Sequence, residues 1–494
     1  MRPGADLLES VRALMGEALY AYRDSPRAAN WLREHLERVD GPLRLAVTGP
    51  EGAGKSTLVN VLVGEDVAPV RAGLSGLGGR PLVWYQDGPA PRVTVYPTQG
   101  PAHELTAARS GDGLRLDPGG PPPPDAAEVV VELPVRALRH AQLADTPPVR
   151  LGRSAPDDVA LARRVLRDAD AVLYLTRHVD DAAQRFLRLS RQGAVAAAAP
   201  VAVLTVLSRA DEVTGGGIGA LVEAKQIARR HRRDPATGPL SHHVVAVSPR
   251  LARAAATLTA PEHAALAAIA ALPRADLEPH LLSADRFIAP EFPAPVDPAA
   301  RRALLDRLGV PGVRLCVTLV RTGEATRERL SASLSRRGGL TDLRESVREL
   351  FLDRRGALKA RSALVALEFM LRAEPLPGAE YLLAELERIV AGAHEFRELR
   401  LLAALRAGRV SLPAPLSAEA RRLAGADGTT PAARLAVPDD QPAEDLWPAA
   451  QEALRRWRPA AEDVALTEAQ RRAAAVVVRS CEGLLDAASR PNGW

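Results

Sequence analysis

The stretch that decides the fold runs from Leu43 to Val61 and reads LRLAVTGPEGAGKSTLVNV. Leu43–Thr48 is short, apolar and rich in β-formers, as a buried parallel strand is. Gly49-Pro50-Glu51-Gly52-Ala53-Gly54-Lys55-Ser56 fits G-x-x-x-x-G-K-[ST] at every fixed position. Thr57-Leu58-Val59-Asn60-Val61 continues as a helix. A strand, a glycine-rich loop and a helix N-terminus in that order form an anion site. Backbone N–H groups turn into the loop, and the helix dipole favours negative charge there. In that arrangement Lys55 reaches the β- and γ-phosphates of a nucleotide, and the Ser56 hydroxyl ligates Mg²⁺.

Downstream of this loop, Leu82–Gln86, Arg92–Tyr96 and Glu128–Leu133 read as strands. The segment between the last two is rich in Gly and Pro, includes the run Pro121–Pro124, and reads as a loop. A further strand over residues 140–145 ends in Asp145. Ala171–Thr176, Val201–Leu207 and His243–Val247 are short apolar runs, the first two separated by a helix-like stretch. That alternation gives an α/β fold: a mostly parallel sheet with crossover helices on both faces. Its expected span is 41–255.

The rest of the chain is helical. Before the sheet, Leu7, Leu8, Val11, Leu14, Met15, Ala18, Leu19 and Tyr22 recur at helical spacing; Pro26 breaks the pattern, which resumes at Trp31. Residues 1–40 are thus expected to be N-terminal helices. After about residue 255 helices dominate to the end. Residues 341–372 read as one long helix, roughly 45 Å long at 1.5 Å per residue. Pro375 and Pro377 turn the chain, and residues 380–406 run back as a second helix, making a hairpin with its tip near 369–383. The expected division is a helical trunk at 256–465 and a final helix at 466–494 that packs on the N-terminal helices.

A chain of 494 residues leaves room for both halves. Its net charge of +5 is modest for that length and does not by itself indicate nucleic acid or an anionic membrane. Two cysteines, Cys316 and Cys481, exclude a disulfide framework. The first residues carry no apolar signal core, so the expected location is the cytoplasm.

The nucleotide is chosen by Ser208-Arg209-Ala210-Asp211, which follows the strand Val201–Leu207. It resembles the N/T-K-x-D motif of GTPases, with Ser for Asn/Thr and Arg for Lys. A carboxylate at Asp211 accepts from both guanine N1–H and the exocyclic N2–H₂, a donor pair that adenine lacks. The aliphatic stem of Arg209 can cover the base plane. Val247-Ser248 ends the last strand where GTPases place a backbone N–H near guanine O6. Asp145-Thr146-Pro147-Pro148 stands in the place of D-x-x-G, its carboxylate holding Mg²⁺ through water.

With a large GTPase domain, helices before it and a helical hairpin after it, the chain resembles the bacterial dynamin-like proteins. It is most similar to the actinobacterial isoniazid-inducible dynamin-like GTPases of the C type. The resembling stretches are Gly54–Asn60, Asp170–Leu175, Ser208–Val213, Leu282–Phe287, Leu358–Leu364 and Glu398–Leu402. The resemblance implies a GTPase head with an elongated helical neck and trunk, and peripheral attachment to the cell membrane through the trunk tip. It further implies GTP-driven membrane remodelling, fission or repair, with GTP/GDP and Mg²⁺ as ligands. A dynamin-like partner or a transient homodimer through the heads belongs to the same expectation.

Two departures bear on hydrolysis. Family members carry a switch threonine after the P-loop helix; here Val70–Arg80 has only the hydroxyl of Ser75. The glycine of D-x-x-G, whose N–H meets the γ-phosphate, is Pro148, and proline has no N–H. The readings are therefore a GTPase with slow turnover or a hydrolysis-poor, nucleotide-binding partner of an active dynamin-like protein. A ribosome-associated GTPase ranks below both, because no GXXG clamp or aromatic RNA platform follows residue 255.

Overall fold

The computed structural model describes residues 7–65, 67, 80–110, 113–117, 125–152, 156–217, 219–234, 236–241, 243–438 and 443–488. The strands are β1 (Leu43–Thr48), β2 (Leu82–Asp87), β3 (Arg92–Pro97), β4 (His103–Ser110), β5 (Gly113–Asp117), β6 (Ala126–Leu133), β7 (Ala141–Asp145), β8 (Ala171–Thr176), β9 (Val203–Leu207) and β10 (His243–Ala246). They form one sheet in the order β10-β9-β8-β1-β7-β2-β6-β3-β4-β5. From β10 to β7 all pairs are parallel. Beyond β7 the sheet turns antiparallel except for the β2–β6 pair. Every residue of β8 and β9 is buried, as strands covered on both faces must be.

The β4–β5 hairpin corrects the reading of residues 97–127 as a loop. HELTAARS is poor in β-branched and aromatic residues, so its propensity is weak. Pairing with β3 at the sheet's edge supplies the order that the local pattern lacks. The run Pro121–Pro124 lies outside the described residues.

Around the sheet lie α1 (Leu7–Ala21), α2 (Pro26–Asp40), α3 (Lys55–Val63), α4 (Pro156–Asp168), α5 (Asp181–Leu189), α6 (Ala194–Ala198), α7 (Ala220–Arg233) and α8 (Pro249–Thr257). The C-terminal half adds α9 (Ala260–Ala270), α10 (Pro298–Arg321), α11 (Arg327–Arg337), α12 (Leu340–Val347), α13 (Arg355–Ala373), α14 (Glu380–Gly392), α15 (His394–Ala407), α16 (Ala414–Leu423), α17 (Pro431–Leu435), α18 (Ala443–Glu462) and α19 (Glu468–Ala488). Among the described residues, no helix is long and apolar enough to cross a membrane. Both cysteines are free and buried.

The expected long helix over 341–372 is two helices. A wider i→i+5 turn at Arg348–Leu352 follows α12, and at Arg354 the backbone leaves the helical region (φ −117°, ψ 18°). Arg354 there turns into a buried ion pair with Glu398, 3.2 Å away. No proline marks this break, and Leu343, Leu350, Leu358 and Leu364 are all fully buried across it. An apolar stripe alone therefore reads straight through. The returning helix likewise breaks at Ala393, between α14 and α15.

The last helix does not partner the first. α1 packs on α2, α13 and α14, whereas α19 packs on α18, α15 and α16. Both stripes have the right period, and period alone does not name a partner. The helical half shares its core with the sheet: one apolar cluster joins Leu43 and Val47 of β1 to Leu343, Leu399, Trp457 and Leu484.

Polar contacts also hold α13 to the strands that carry the site. Its Glu368 carboxylate caps the start of α6, accepting from the N–H groups of Ala194 (2.7 Å) and Val195 (3.1 Å). Arg361 donates to the Ala199 carbonyl at the other end of α6 (2.6 Å). Lys359 donates to Asp170 (3.2 Å) just before β8, and to the Arg38 carbonyl (2.6 Å) at the end of α2. Burial pushes the Lys359 ammonium and the Arg361 guanidinium below their usual values, Arg361 to about 10. Arg361 stays cationic at neutral pH and keeps its bond. α6 leads into β9, so these bonds hold β8 and β9, two of the strands whose C-terminal ends form the site.

Candidate functional site

The C-terminal ends of β1, β7, β8 and β9 converge at the glycine-rich loop, the usual ligand crevice of an open α/β sheet. Gly49 leaves β1 with φ +139°, and a Cβ there would meet the Leu175 carbonyl oxygen at 2.1 Å. Gly54 caps α3 in the left-handed region, and its Cβ would press on Pro249 Cγ at 2.9 Å. Only glycine fits either position, so the motif's fixed glycines have a steric cause. Glu51 and Gly52 are exposed, and Ala53 is buried.

Lys55 is 6% exposed, and its ammonium donates to the Pro50 carbonyl (3.0 Å), which folds the side chain back over the loop. The register of β1 on β7 sets Asp145 beside Val47. From there its Oδ2 accepts from the Ser56 hydroxyl at 2.6 Å. These two hard oxygen donors fit a Mg²⁺ ion, which usually takes one or two protein oxygens with phosphate and water. Among the described residues no group of three or more His, Cys, Asp or Glu gathers to hold a metal, so phosphate and water would supply most of its ligands.

After Asp145 the chain is tied down. The Thr146 N–H donates to the Val47 carbonyl (3.3 Å) and the Val149 N–H to the Gly49 carbonyl (3.0 Å). Pro148 between them has no N–H, and its carbonyl accepts from Arg80. Ser75 and the glycines at 73–79 lie outside the described residues.

At the other end, Arg209 stands in the left-handed region (φ 53°). Its Nε donates to the Gly52 carbonyl (2.8 Å) and its Nη1 pairs with Glu212 (2.9 Å). The guanidinium is thus bound to the phosphate loop, and only its stem is left for a base. Asp211 is 5% exposed and has no hydrogen-bond or ion-pair partner among the described residues. It lines a cleft of about 360 Å³ with Gly54, Thr57, Arg209, Glu212 and Pro249. Ser208 is buried, and its hydroxyl finds no partner among the described residues.

Val247 and Ser248 have other work than the sequence suggests. The Val247 N–H bonds the Leu207 carbonyl (2.8 Å) and the Ser248 N–H the Gly338 carbonyl (2.9 Å). The Ser248 hydroxyl caps α8 by accepting from the Leu251 N–H at 3.2 Å. The expected donor to guanine O6 is therefore occupied at both residues. The cleft wall also includes Arg250, Arg253, Asp306 and Arg307, which sequence reasoning missed. Arg250 was within reach, since it lies four residues after the end of the last strand. Nothing local in α10 marks Asp306 or Arg307.

The apolar hairpin turn divides into two sets. Phe369, Leu376 and Tyr381 are exposed, with Tyr381 at 51%, whereas Met370 and Leu382 are buried. The sequence gathers Phe369, Met370, Leu371, Tyr381, Leu382 and Leu383 at this turn; the expectation that they lie uncovered is corrected for Met370 and Leu382, because α1 packs on α13 and α14 at this end.

No family model matches the chain. The isoniazid-induced protein IniC of Mycobacterium tuberculosis, in strains CDC 1551 / Oshkosh and ATCC 25618 / H37Rv, is 33% identical over 487 residues. That match covers 97% of this chain and 98% of the mycobacterial protein. Among solved structures, a chain of an oligomerised bacterial dynamin pair, described as a mechanism for long-range sensing and tethering of membranes, superposes with a TM-score of 0.32. The identity is 12%, over 99% of this chain and 76% of that one. A second chain so described gives a TM-score of 0.29 at 14% identity, over 81% of this chain and 50% of that one.

Proposed function

Because the chain belongs to the family of the isoniazid-induced protein IniC, we propose that it is a dynamin-like GTPase acting on membrane, with slow turnover of its own. One observation carries the nucleotide reading. Asp211 is 5% exposed as a residue, its carboxylate has no protein partner among the described residues, and it lines a cleft that continues to the phosphate loop. A buried charge without a partner is costly, and the paired N1–H and N2–H₂ donors of guanine would satisfy it.

In this reading Lys55 and the N–H groups at the start of α3 bind the phosphates. Ser56 and Asp145 would hold Mg²⁺, which would supply charge neutralisation to the phosphates. Thr57 and the stem of Arg209 flank the ribose and base. Hydrolysis needs a group that senses the γ-phosphate. Pro148 offers no N–H there, and the Val149 N–H is taken by Gly49, so a bound triphosphate lacks one contact that would distinguish it from a diphosphate. This favours a cycle completed by a second dynamin-like chain or a second head that supplies the missing group.

The membrane half of the reading rests on Phe369, Leu376 and Tyr381, exposed together at the hairpin turn. Insertion there would be hydrophobic, with peripheral attachment from the cytoplasmic side.

Two assays test the proposal. Equilibrium binding of GTP, GDP, ATP and ADP with Mg²⁺, run beside phosphate release, should give guanine selectivity with slow release; equal affinity for both bases rejects it. Sedimentation with vesicles should be lost in Phe369→Asp/Tyr381→Asp, which leaves the buried Leu382 intact. Unchanged sedimentation would move the membrane site elsewhere.

A further inference from the structure

Guanine O6 needs a hydrogen-bond donor, and the backbone that follows β10 does not supply one at its first three residues. The N–H groups of Val247 and Ser248 are bonded to Leu207 and Gly338, and Pro249 has no N–H. The next residue is Arg250. Its side chain is exposed, lines the cleft with Asp211 and Gly54, and has no hydrogen bond or ion pair among the described residues.

Neighbouring guanidinium groups are engaged. Arg209 is held by Gly52 and Glu212. Arg307 pairs with Glu262 at 3.0 Å and donates to the Thr257 hydroxyl at 2.6 Å. Arg250 instead passes over the kink of α10 at Gly309 (φ +66°), where a Cβ would meet its Nη1 at 2.6 Å. The bare glycine backbone gives the guanidinium its path along the cleft wall.

We propose that Arg250 is a specificity-determining residue whose guanidinium donates to O6 and N7 of the guanine base that Asp211 holds by N1–H and N2–H₂. The fork of a guanidinium matches the O6/N7 acceptor pair of guanine. Adenine presents an N6–H₂ donor at the same edge, and a cation that only donates meets it unfavourably. Asp211 and Arg250 then read adjoining edges of one base, and the side chain takes over the task that a backbone N–H does elsewhere. The inference rests on the reading of the cleft as a guanine nucleotide site.

The test uses GDP, ADP and 6-thio-GDP, which keeps N1–H and N2–H₂ but replaces O6 with a poorly accepting sulfur. Affinities are measured for the full-length parent, Arg250→Ala and Arg250→Lys. The parent should prefer GDP over 6-thio-GDP by about tenfold or more, the worth of a charge-assisted hydrogen bond. Arg250→Ala should bind the two alike while still preferring either to ADP through Asp211, and Arg250→Lys should fall between. An Arg250→Ala chain that keeps the parental ratio would overturn the proposal and assign O6 to another donor, such as the N–H of residue 250 itself. Failure of the underlying reading has a different signature: the parent itself would bind ADP as well as GDP.

Discussion

The two ends of the cleft are built in different ways. The phosphate end comes from contiguous sequence: Gly49 to Thr57 forms the loop and first turn, and one outside residue, Asp145, arrives by strand register. Its shape is backbone shape, enforced where no Cβ fits. The base end is assembled from side chains of separate segments, Asp211 after β9, Arg250 on α8 and Arg307 on α10. The backbone N–H groups of Val247 and Ser248 there are already committed. On the proposed reading, phosphate binding would be a property of one motif, whereas base choice would be a property of the tertiary fold, free to change its donor without touching the loop.

The largest expected effect falls at the phosphate end. On the proposed reading, Lys55→Ala removes a cation that would meet two phosphates, each charge-assisted bond worth about 1.5–3 kcal/mol. Affinity for GTP and GDP should fall by about a hundredfold or more, measured by equilibrium binding, with the melting temperature nearly unchanged because Lys55 contributes charge more than packing. Parental affinity in this variant would break the comparison, since the motif would not be the site.

A smaller effect is expected at Pro148, on the γ-phosphate side. The parent should bind GTP and GDP with similar affinity, because a ligand pair without differential contacts cannot shift an equilibrium. Pro148→Gly should raise phosphate release and the preference for GTP by about tenfold, one recovered charge-assisted bond. The addition of Ser75→Thr should raise both further. Fast release by the parent, with strong preference for GTP, would contradict the account of this end.

The smallest effect should come from Arg209, which joins the two ends through Gly52 and Glu212. Arg209→Ala loses a bond to the loop and cover over the base plane, about 1 kcal/mol. It should weaken GDP and ADP alike by about fivefold. A selective loss of GDP would show that Arg209 reads the base and would blur the division between the ends.

Legibility follows the same division. The strands β1, β7, β8, β9 and β10 could be read because buried parallel strands are short apolar runs. The P-loop could be read because its glycines answer to steric limits that hold in any protein. The β4–β5 hairpin was hidden, since an edge pair needs little intrinsic propensity. Arg354 was hidden too: the helix breaks there while the apolar stripe runs on, so no local signal records it. The packing of α19 on α18 instead of α1 shows the general limit, because a periodic stripe states that a face is buried and not against what. Asp211 was legible from its motif. The commitment of the Val247 and Ser248 N–H groups was not, because their partners Leu207 and Gly338 lie far off in sequence.

The central claim is that Asp211 reads the base, and a swap of its chemistry tests that most directly. Asparagine at this position offers an amide donor in place of one carboxylate oxygen, and xanthine carries a C2 carbonyl where guanine carries N2–H₂. Affinities of GDP and xanthosine diphosphate for the parent and for Asp211→Asn should therefore cross. The parent should favour GDP, and the variant should favour xanthosine diphosphate, each by about tenfold or more. Equal affinity of the variant and the parent for both nucleotides would contradict the account.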